Sequence, residues 1–260
     1  VNAQRLLSLL DLSGKTALVT GASRGIGAAT ADLLAAAGAN LVLCSRSIDA
    51  REVAQSFRER HGREPLVVRA DIADREALWH VAEAAQARFG GVDILINNAA
   101  MNSNTSLLDA TEDEWLRVAQ VNLIGIANLC SLVAPGMIAR KWGRIINIAS
   151  NLGFFALQNK GIYSATKAGL IQLTRNMALE WAQHGILVNV IASGAINTDA
   201  DREDSFARDY RAIASSILLG RLGTPEEIAS VVLFLASPLS SFVTGETVVV
   251  DGGASIWFSH

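Results

Sequence analysis

Cysteine, proline and histidine are scarce here, at two, four and four among 260 residues. Cys44 and Cys130 stand far apart in apolar stretches and form no CxxC pair. That excludes a disulfide framework and predicts reduced core thiols in an intracellular protein. His61, His80, His184 and His260 have no HExxH or comparable ligand spacing, so no catalytic metal is expected. Excess charge is also small: 22 Lys+Arg against 25 Asp+Glu give −3. No broad positive field exists to gather nucleic acid or an anionic membrane. A Ser-centred G-x-S-x-G elbow is absent, which removes support for hydrolase chemistry. The opening VNAQRLLSLLDLSGK lacks a long apolar block and a small-residue cleavage site, so a cytoplasmic protein without a secretory signal is expected. The run between Arg117 and Arg140 carries no charge and is long enough to cross a bilayer. Gln120, Asn122, Gly125, Asn128, Pro135 and Gly136 interrupt it, and a buried helix of a soluble protein is the better reading.

What is present is an alternation. Apolar runs TALVT (16–20), NLVLC (40–44), PLVVRA (65–70), VDILINN (92–98), GRIINIAS (143–150), ILVNVIAS (186–193) and GETVVVDGG (245–253) are separated by helical patterns. Continuous rather than alternating hydrophobicity marks strands buried on both faces. The expectation is an α/β fold, a doubly wound seven-stranded parallel sheet with about six helices on its two faces, in one domain spanning 1–260. Thr111 and Thr224 each stand three residues before a glutamate, Glu114 and Glu227, as capping boxes do. These carboxylates read as structural. The charge-dense segment 197–220 reads as a mobile flap over the substrate, and 245–260 as a final strand and tail.

The first strand runs into Thr20-Gly21-Ala22-Ser23-Arg24-Gly25-Ile26-Gly27 and then a helical pattern, the context a phosphate loop requires. Gly21 permits the tight turn, Gly25 lets backbone approach a pyrophosphate, and Gly27 allows close packing, while the helix start presents free N–H groups to anionic oxygens. The spacing T-G-x-x-x-G-x-G, with Asn97-Asn98-Ala99-Ala100 and Tyr163-Ser164-Ala165-Thr166-Lys167 in order, resembles the short-chain dehydrogenase/reductase family, in its branch of about 250 residues, over positions 12 to 253. The resemblance implies a Rossmann-type fold and a nicotinamide dinucleotide held by Gly21, Ser23, Arg24, Gly25, Ile26 and Gly27. It also implies that Asp71 and Ile72 meet the adenine, Asn98 and Ala99 the adenosine ribose, Tyr163 and Lys167 the nicotinamide ribose, and Ile196 and Thr198 the carboxamide and phosphate.

The second strand ends in Cys44-Ser45-Arg46-Ser47, without the carboxylate that would hold a ribose 2′-hydroxyl and repel a 2′-phosphate. Arg46 and Arg24 are a candidate clamp on a 2′-phosphate, so NADP(H) is favoured over the alternative NAD(H).

Moving a hydride between an alcohol and nicotinamide requires a partner for the hydroxyl proton. A phenol with an ordinary pKa near ~10 needs a fixed positive charge close by to serve. Tyr163 and Lys167 are one helical turn apart on one face. The lysine is expected to lower the tyrosine pKa. Ser150, ending the fifth strand at the ligand-binding edge, can hold the substrate oxygen. In the family's pattern Ser150 polarises the carbonyl, Tyr163 carries the proton, and Asn122 is the fourth member, supporting a proton relay. Taken singly each is an ordinary surface, turn or helix residue; jointly they read as catalytic.

Where the family usually shows Pro-Gly after the sixth strand, this chain has Ser193-Gly194, which predicts a looser turn. Met101, Phe154 and Phe155 suggest apolar pocket walls, while Asn151, Gln158 and Asn159 would equally serve a sugar acid. The resemblance covers acyl-carrier-protein reductases, sugar-acid dehydrogenases and cyclic-ketone reductases, and implies a homotetramer, with Trp257 and Phe258 candidates for a subunit contact. The competing class is a non-catalytic dinucleotide-binding regulator or scaffold.

Overall fold

The computed structural model describes residues 3–198 and 212–256. After a short helix α1 (Ala3–Leu10), strands and helices alternate as β1 (Thr16–Thr20), α2 (Gly25–Ala36), β2 (Asn40–Ser45), α3 (Ala50–His61), β3 (Leu66–Arg69), α4 (Arg75–Phe89) and β4 (Ile94–Asn97). The second half runs α5 (Glu112–Ala119), α6 (Gly125–Arg140), β5 (Gly143–Ser150), α7 (Gly161–Trp181), β6 (Ile186–Ser193), α8 (Pro225–Ala236) and β7 (Thr247–Val250). All seven strands are parallel, in the order β3-β2-β1-β4-β5-β6-β7. The order reverses between β1 and β4, and the crevice outside the strands' carboxyl ends at that point is where open α/β sheets take ligands.

The uninterrupted apolar runs are explained by two cores. Leu18, Leu95 and Ile145 face α4, α6 and α7, whereas Val19, Ile96 and Ile146, one residue on, face α2, α3 and α8. Asp49 and Asp74 cap α3 and α4 by accepting from the N–H groups two and three residues on, and Gly62 and Gly90 close them in left-handed conformation at φ +64° and +81°. Thr224 and Glu227 form the expected box, with the Thr224 N–H donating to Glu227 Oε2 at 2.8 Å. Glu114 departs from it. Thr111 Oγ1 accepts the Glu114 N–H at 3.2 Å, but the Glu114 carboxylate accepts from Ser103 Oγ at 3.0 Å and Thr105 Oγ1 at 2.8 Å, pinning the loop after β4.

The charge-free run forms one helical stretch, Glu112–Arg140, long and apolar enough by length and composition to cross a membrane. Its residues Asn122, Ile126, Leu129 and Cys130 are fully buried against the rest of the fold. Of the expected flap 197–220, residues 199–211 lie outside the described residues, as do Trp257 and Phe258. Its far end is anchored: Ala214, Ile217 and Leu222 form a small core of their own, and the Leu219 N–H bonds the Gly252 carbonyl at 3.2 Å.

Candidate active site

The phosphate loop bends as its glycines require. Gly21 and Gly25 adopt φ +65° and +55°, where side chains are strained. A Cβ on Gly27 would lie 2.2 Å from the Gly21 carbonyl oxygen, so the close packing is of α2 against the loop itself. Thr20 Oγ1 accepts from the N–H groups of Asn98 at 3.0 Å and Ala99 at 3.1 Å, and Asn98 Nδ2 donates to the Thr20 and Gly21 carbonyls at 3.0 and 3.2 Å. The Asn98 amide is therefore spent on holding the loop to the turn after β4. Only its remaining surface is free for a ribose.

These segments enclose a cleft of about 350 Å³ whose wall includes Gly21, Ser23, Arg24, Gly25, Ile26, Arg46, Asp71, Ile72, Asn98, Ala99 and Thr198. Cys44 forms part of its floor; burial pushes its thiol up to about 12, and that of Cys130 likewise, as inert core thiols require. Arg46 is 72% exposed and lies 3.6 Å from Asp71 across the cleft mouth, a solvent-screened pair rather than a free cation. Ser45 Oγ donates to Ser23 Oγ at 3.1 Å beneath it. Gly27 and Ile196 are not part of the wall. Ile196 pairs with Gly223 in an isolated parallel bridge, and its side chain packs toward the second core, which turns it from the cleft. An anion cradle of left-handed glycines at an uncapped helix start, with two arginines at the rim, fits a dinucleotide.

Beyond this cleft lie the reacting groups. A buried ladder fixes α7 to the sheet: Asn97 Nδ2 donates to Asn147 Oδ1 at 2.8 Å, and Asn147 Nδ2 to Thr174 Oγ1 at 2.8 Å. It sets the helix that carries Tyr163 against β5, whose last residue, Ser150, accepts the Leu152 N–H on its Oγ at 3.2 Å. Burial raises the Tyr163 pKa above its ordinary value, and the Ser150 side chain opposes that. This departs from the sequence expectation of a lowered phenol, because desolvation by burial outweighs the opposing contribution of Ser150. Lys167, fully buried, donates to the Ile148 carbonyl at 2.8 Å and lies 5.6 Å from the Tyr163 ring centroid. Burial pulls its ammonium down to about 8.

Asn122 occupies a π-helical turn, Gln120–Ile124, joining α5 to α6. Such widened turns often mark functional positions. Its Oδ1 accepts the Met101 N–H at 2.7 Å, and its Nδ2 donates to the Met101 carbonyl at 2.9 Å and Thr166 Oγ1 at 3.1 Å. It thus clamps the loop after β4 against α7, beside Lys167.

The expected pocket residues fare differently. Met101 packs against the first core, and Phe154 and Phe155 are largely exposed. Asn151 is buried, and its Nδ2 donates to Asp251 Oδ2 at 3.2 Å, so it braces the turn after β7 rather than offering an amide to substrate. The turn after β6 is tied to both neighbouring strands despite Ser193, whose hydroxyl donates to the Ala149 carbonyl at 3.3 Å while the Gly194 N–H bonds the Val250 carbonyl at 3.0 Å. Sequence reasoning missed Asp251, Asn147, Asn102 and Lys160. The last two meet across the mouth of the site, Lys160 Nζ donating to Asn102 Oδ1 at 2.7 Å.

A phosphate cradle at the switch point, leading to a serine, a phenol and a buried ammonium, defines a nicotinamide-dependent oxidoreductase. The profile of the family described as enoyl-(acyl carrier protein) reductase matches residues 21–255. A 3-oxoacyl-[acyl-carrier-protein] reductase of Vibrio cholerae is 39% identical over 244 residues, covering 94% of this chain and 98% of that one. Among solved structures, a short-chain type dehydrogenase/reductase from Mycobacterium marinum superposes with TM-score 0.90 at 35% identity, covering 96% of this chain and 98% of that one. A gluconate 5-dehydrogenase from Burkholderia cenocepacia, crystallised with NADP and tartrate, gives TM-score 0.89 at 35% identity, covering 97% and 100%. The chain belongs to the short-chain dehydrogenase/reductase family and is an NAD(P)-dependent oxidoreductase acting on a carbonyl or alcohol.

Proposed function

We propose that this enzyme interconverts a ketone and a secondary alcohol with a preference for NADP(H), using Ser150, Tyr163, Lys167 and Asn122. The observation that carries the reading is the buried Lys167 ammonium 5.6 Å from the Tyr163 ring, one turn away on α7, with Ser150 at the end of the adjoining β5. When bound, the nicotinamide supplies or accepts the hydride. Gly21, Ser23, Arg24, Gly25 and Ile26 would hold the dinucleotide's phosphates and Asp71 and Ile72 its adenine, and Thr198 approaches Gly25, whose absent Cβ would lie 3.1 Å from Thr198 Cγ2. Lys167 has donors beyond the Ile148 carbonyl to offer ribose hydroxyls.

In reduction, Ser150 donates a hydrogen bond to the carbonyl oxygen and Tyr163 delivers its proton to that oxygen. A raised phenol pKa keeps this proton in place at neutral pH. The Lys167 charge then stabilises the phenolate left behind, and Asn122 keeps Thr166 and the neighbouring turn in register for proton return. Oxidation runs the same steps backward. The 2′-phosphate preference rests on Arg46 and Arg24 at the rim, with Asp71 the carboxylate Arg46 must then share. Dehydrogenation of a sugar acid with NAD is the second reading, favoured by the exposed polar residues Gln158 and Asn159.

Exposed apolar side chains Trp115, Leu116 and Leu179 on α5 and α7, and Phe242 and Val249 near β7, support self-association to a homotetramer. The buried free thiols suit a cytoplasmic protein. Initial rates with NADPH and with NADH over a panel of ketones and secondary alcohols, followed by nicotinamide absorbance, test the reading. Turnover of a ketone with NADPH is expected; no turnover with either cofactor and no thermal protection by either overturns it in favour of a scaffold.

A further inference from the structure

We propose that Lys160 is the receptor for a carboxylate on the substrate, making this enzyme one for short oxo acids and their hydroxy acids. The inference rests on the oxidoreductase reading above and names its substrate class. Lys160 ends the loop between β5 and α7, three residues before Tyr163, and its Nζ lies 5.7 Å from the Tyr163 ring centroid. Lys167 approaches the same ring at 5.6 Å from the buried interior. A carbonyl oxygen placed on the Tyr163 hydroxyl therefore brings an acid group one or two carbons away within the sweep of the flexible lysine stem.

Several features make this position costly unless an anion arrives. Lys160 is the N-cap of the 21-residue helix α7 and makes no side-chain cap bond, so its positive charge stands at the helix's positive end. The ammonium is half-buried, and desolvation pulls its pKa below the ordinary value. Among the described residues no carboxylate forms a salt bridge with it; its partner is the neutral amide oxygen of Asn102, which also accepts the Ser103 N–H at 2.9 Å. Glu114, at the foot of the facing loop, is already held by Ser103 and Thr105. A cation left at an unfavourable helix end beside a catalytic phenol breaks the local rules in the way functional positions do. Among the described residues no counter-charge meets it, and the carboxylate of the proposed substrate takes that role. A 3-oxoacyl thioester would present a neutral group there.

The test compares wild type, Lys160→Met and Lys160→Gln with NADPH on acetoacetate and on its methyl ester, beside calorimetric titration of the NADP-saturated proteins with malonate. Wild type is expected to favour the acid. Lys160→Met is expected to lose tenfold or more in kcat/KM on the acid, mainly through KM, and to keep ester turnover and NADPH affinity within about twofold. Malonate binding should weaken in parallel, and the melting temperature should hold or rise because an unfavourable charge is removed. Equal losses on acid and ester, unchanged acid kinetics, or malonate binding that is undetectable in wild type or indifferent to the substitution each overturn the proposal. Ester turnover with unchanged acid kinetics, or no turnover of either compound while other ketones are reduced, sinks this inference alone; no turnover across the whole panel of ketones and alcohols sinks the oxidoreductase reading as well.

Discussion

Lys167 and Tyr163 occupy one face of α7 one turn apart, with the ammonium 5.6 Å from the phenol ring and hydrogen-bonded to the Ile148 carbonyl of β5. Among the described residues the lysine is held by the sheet rather than by an acid. Its charge is therefore uncompensated within the described site, which makes it available to a phenolate or to ribose hydroxyls.

Replacing Tyr163 by Phe keeps the ring and removes only the proton carrier. Turnover is expected to fall by about 10²–10⁴-fold, with NADPH affinity within about threefold, because the phosphate loop is untouched. Steady-state kinetics and fluorescence titration check this; turnover near wild type would remove Tyr163 from its role.

The burial of Lys167 also predicts how cofactor-free stability varies with pH. Its ammonium titrates near 8 in the folded chain against 10.5 ordinarily, so between those values the unfolded chain holds a proton the folded one has lost. Stability due to this group therefore rises with pH across that window, while below about 8 both states are charged and the full desolvation penalty remains. Urea melts at pH 7.5 and 10 should show wild type gaining about 1–3 kcal/mol relative to Lys167→Met. Parallel curves for the two proteins would contradict it.

Arg46 and Asp71 stand 3.6 Å apart at the adenosine end of the cleft. Arg46→Asp places two carboxylates there, repelling a 2′-phosphate while offering an acceptor to a 2′-hydroxyl. The ratio of kcat/KM for NADPH over NADH is expected to fall by tenfold or more. An unchanged ratio would assign the discrimination elsewhere, with Arg24 the next candidate.

Much of the architecture was legible because it is written in local terms. Strand β5 was read as 143–150 and β6 as 186–193, and both are found with those limits, since uninterrupted branched apolar runs fit only a doubly covered strand. The left-handed turns of Gly21 and Gly25 were legible for the same reason: a positive φ is a requirement of a single residue. Glu114 was misread as a cap partner because the hydroxyls of Ser103 and Thr105 compete for it, and their approach depends on how a loop folds back. Asn151 was misread for a like cause, its partner Asp251 lying a hundred residues away.

The order of residue types along the chain thus determined the seven strands, the phosphate loop and the spacing of phenol and ammonium on one helix face, since each depends on backbone geometry over a turn or a strand. Tertiary structure alone decided which polar groups remain unspent. It consumed the amides of Asn98 and Asn151 in bracing turns, set Arg46 against Asp71, and left Lys160 at a helix end with no carboxylate partner among the described residues. Such pairings arise where segments distant in sequence converge, and the low dielectric of a packed interior makes each satisfied or unsatisfied partner count.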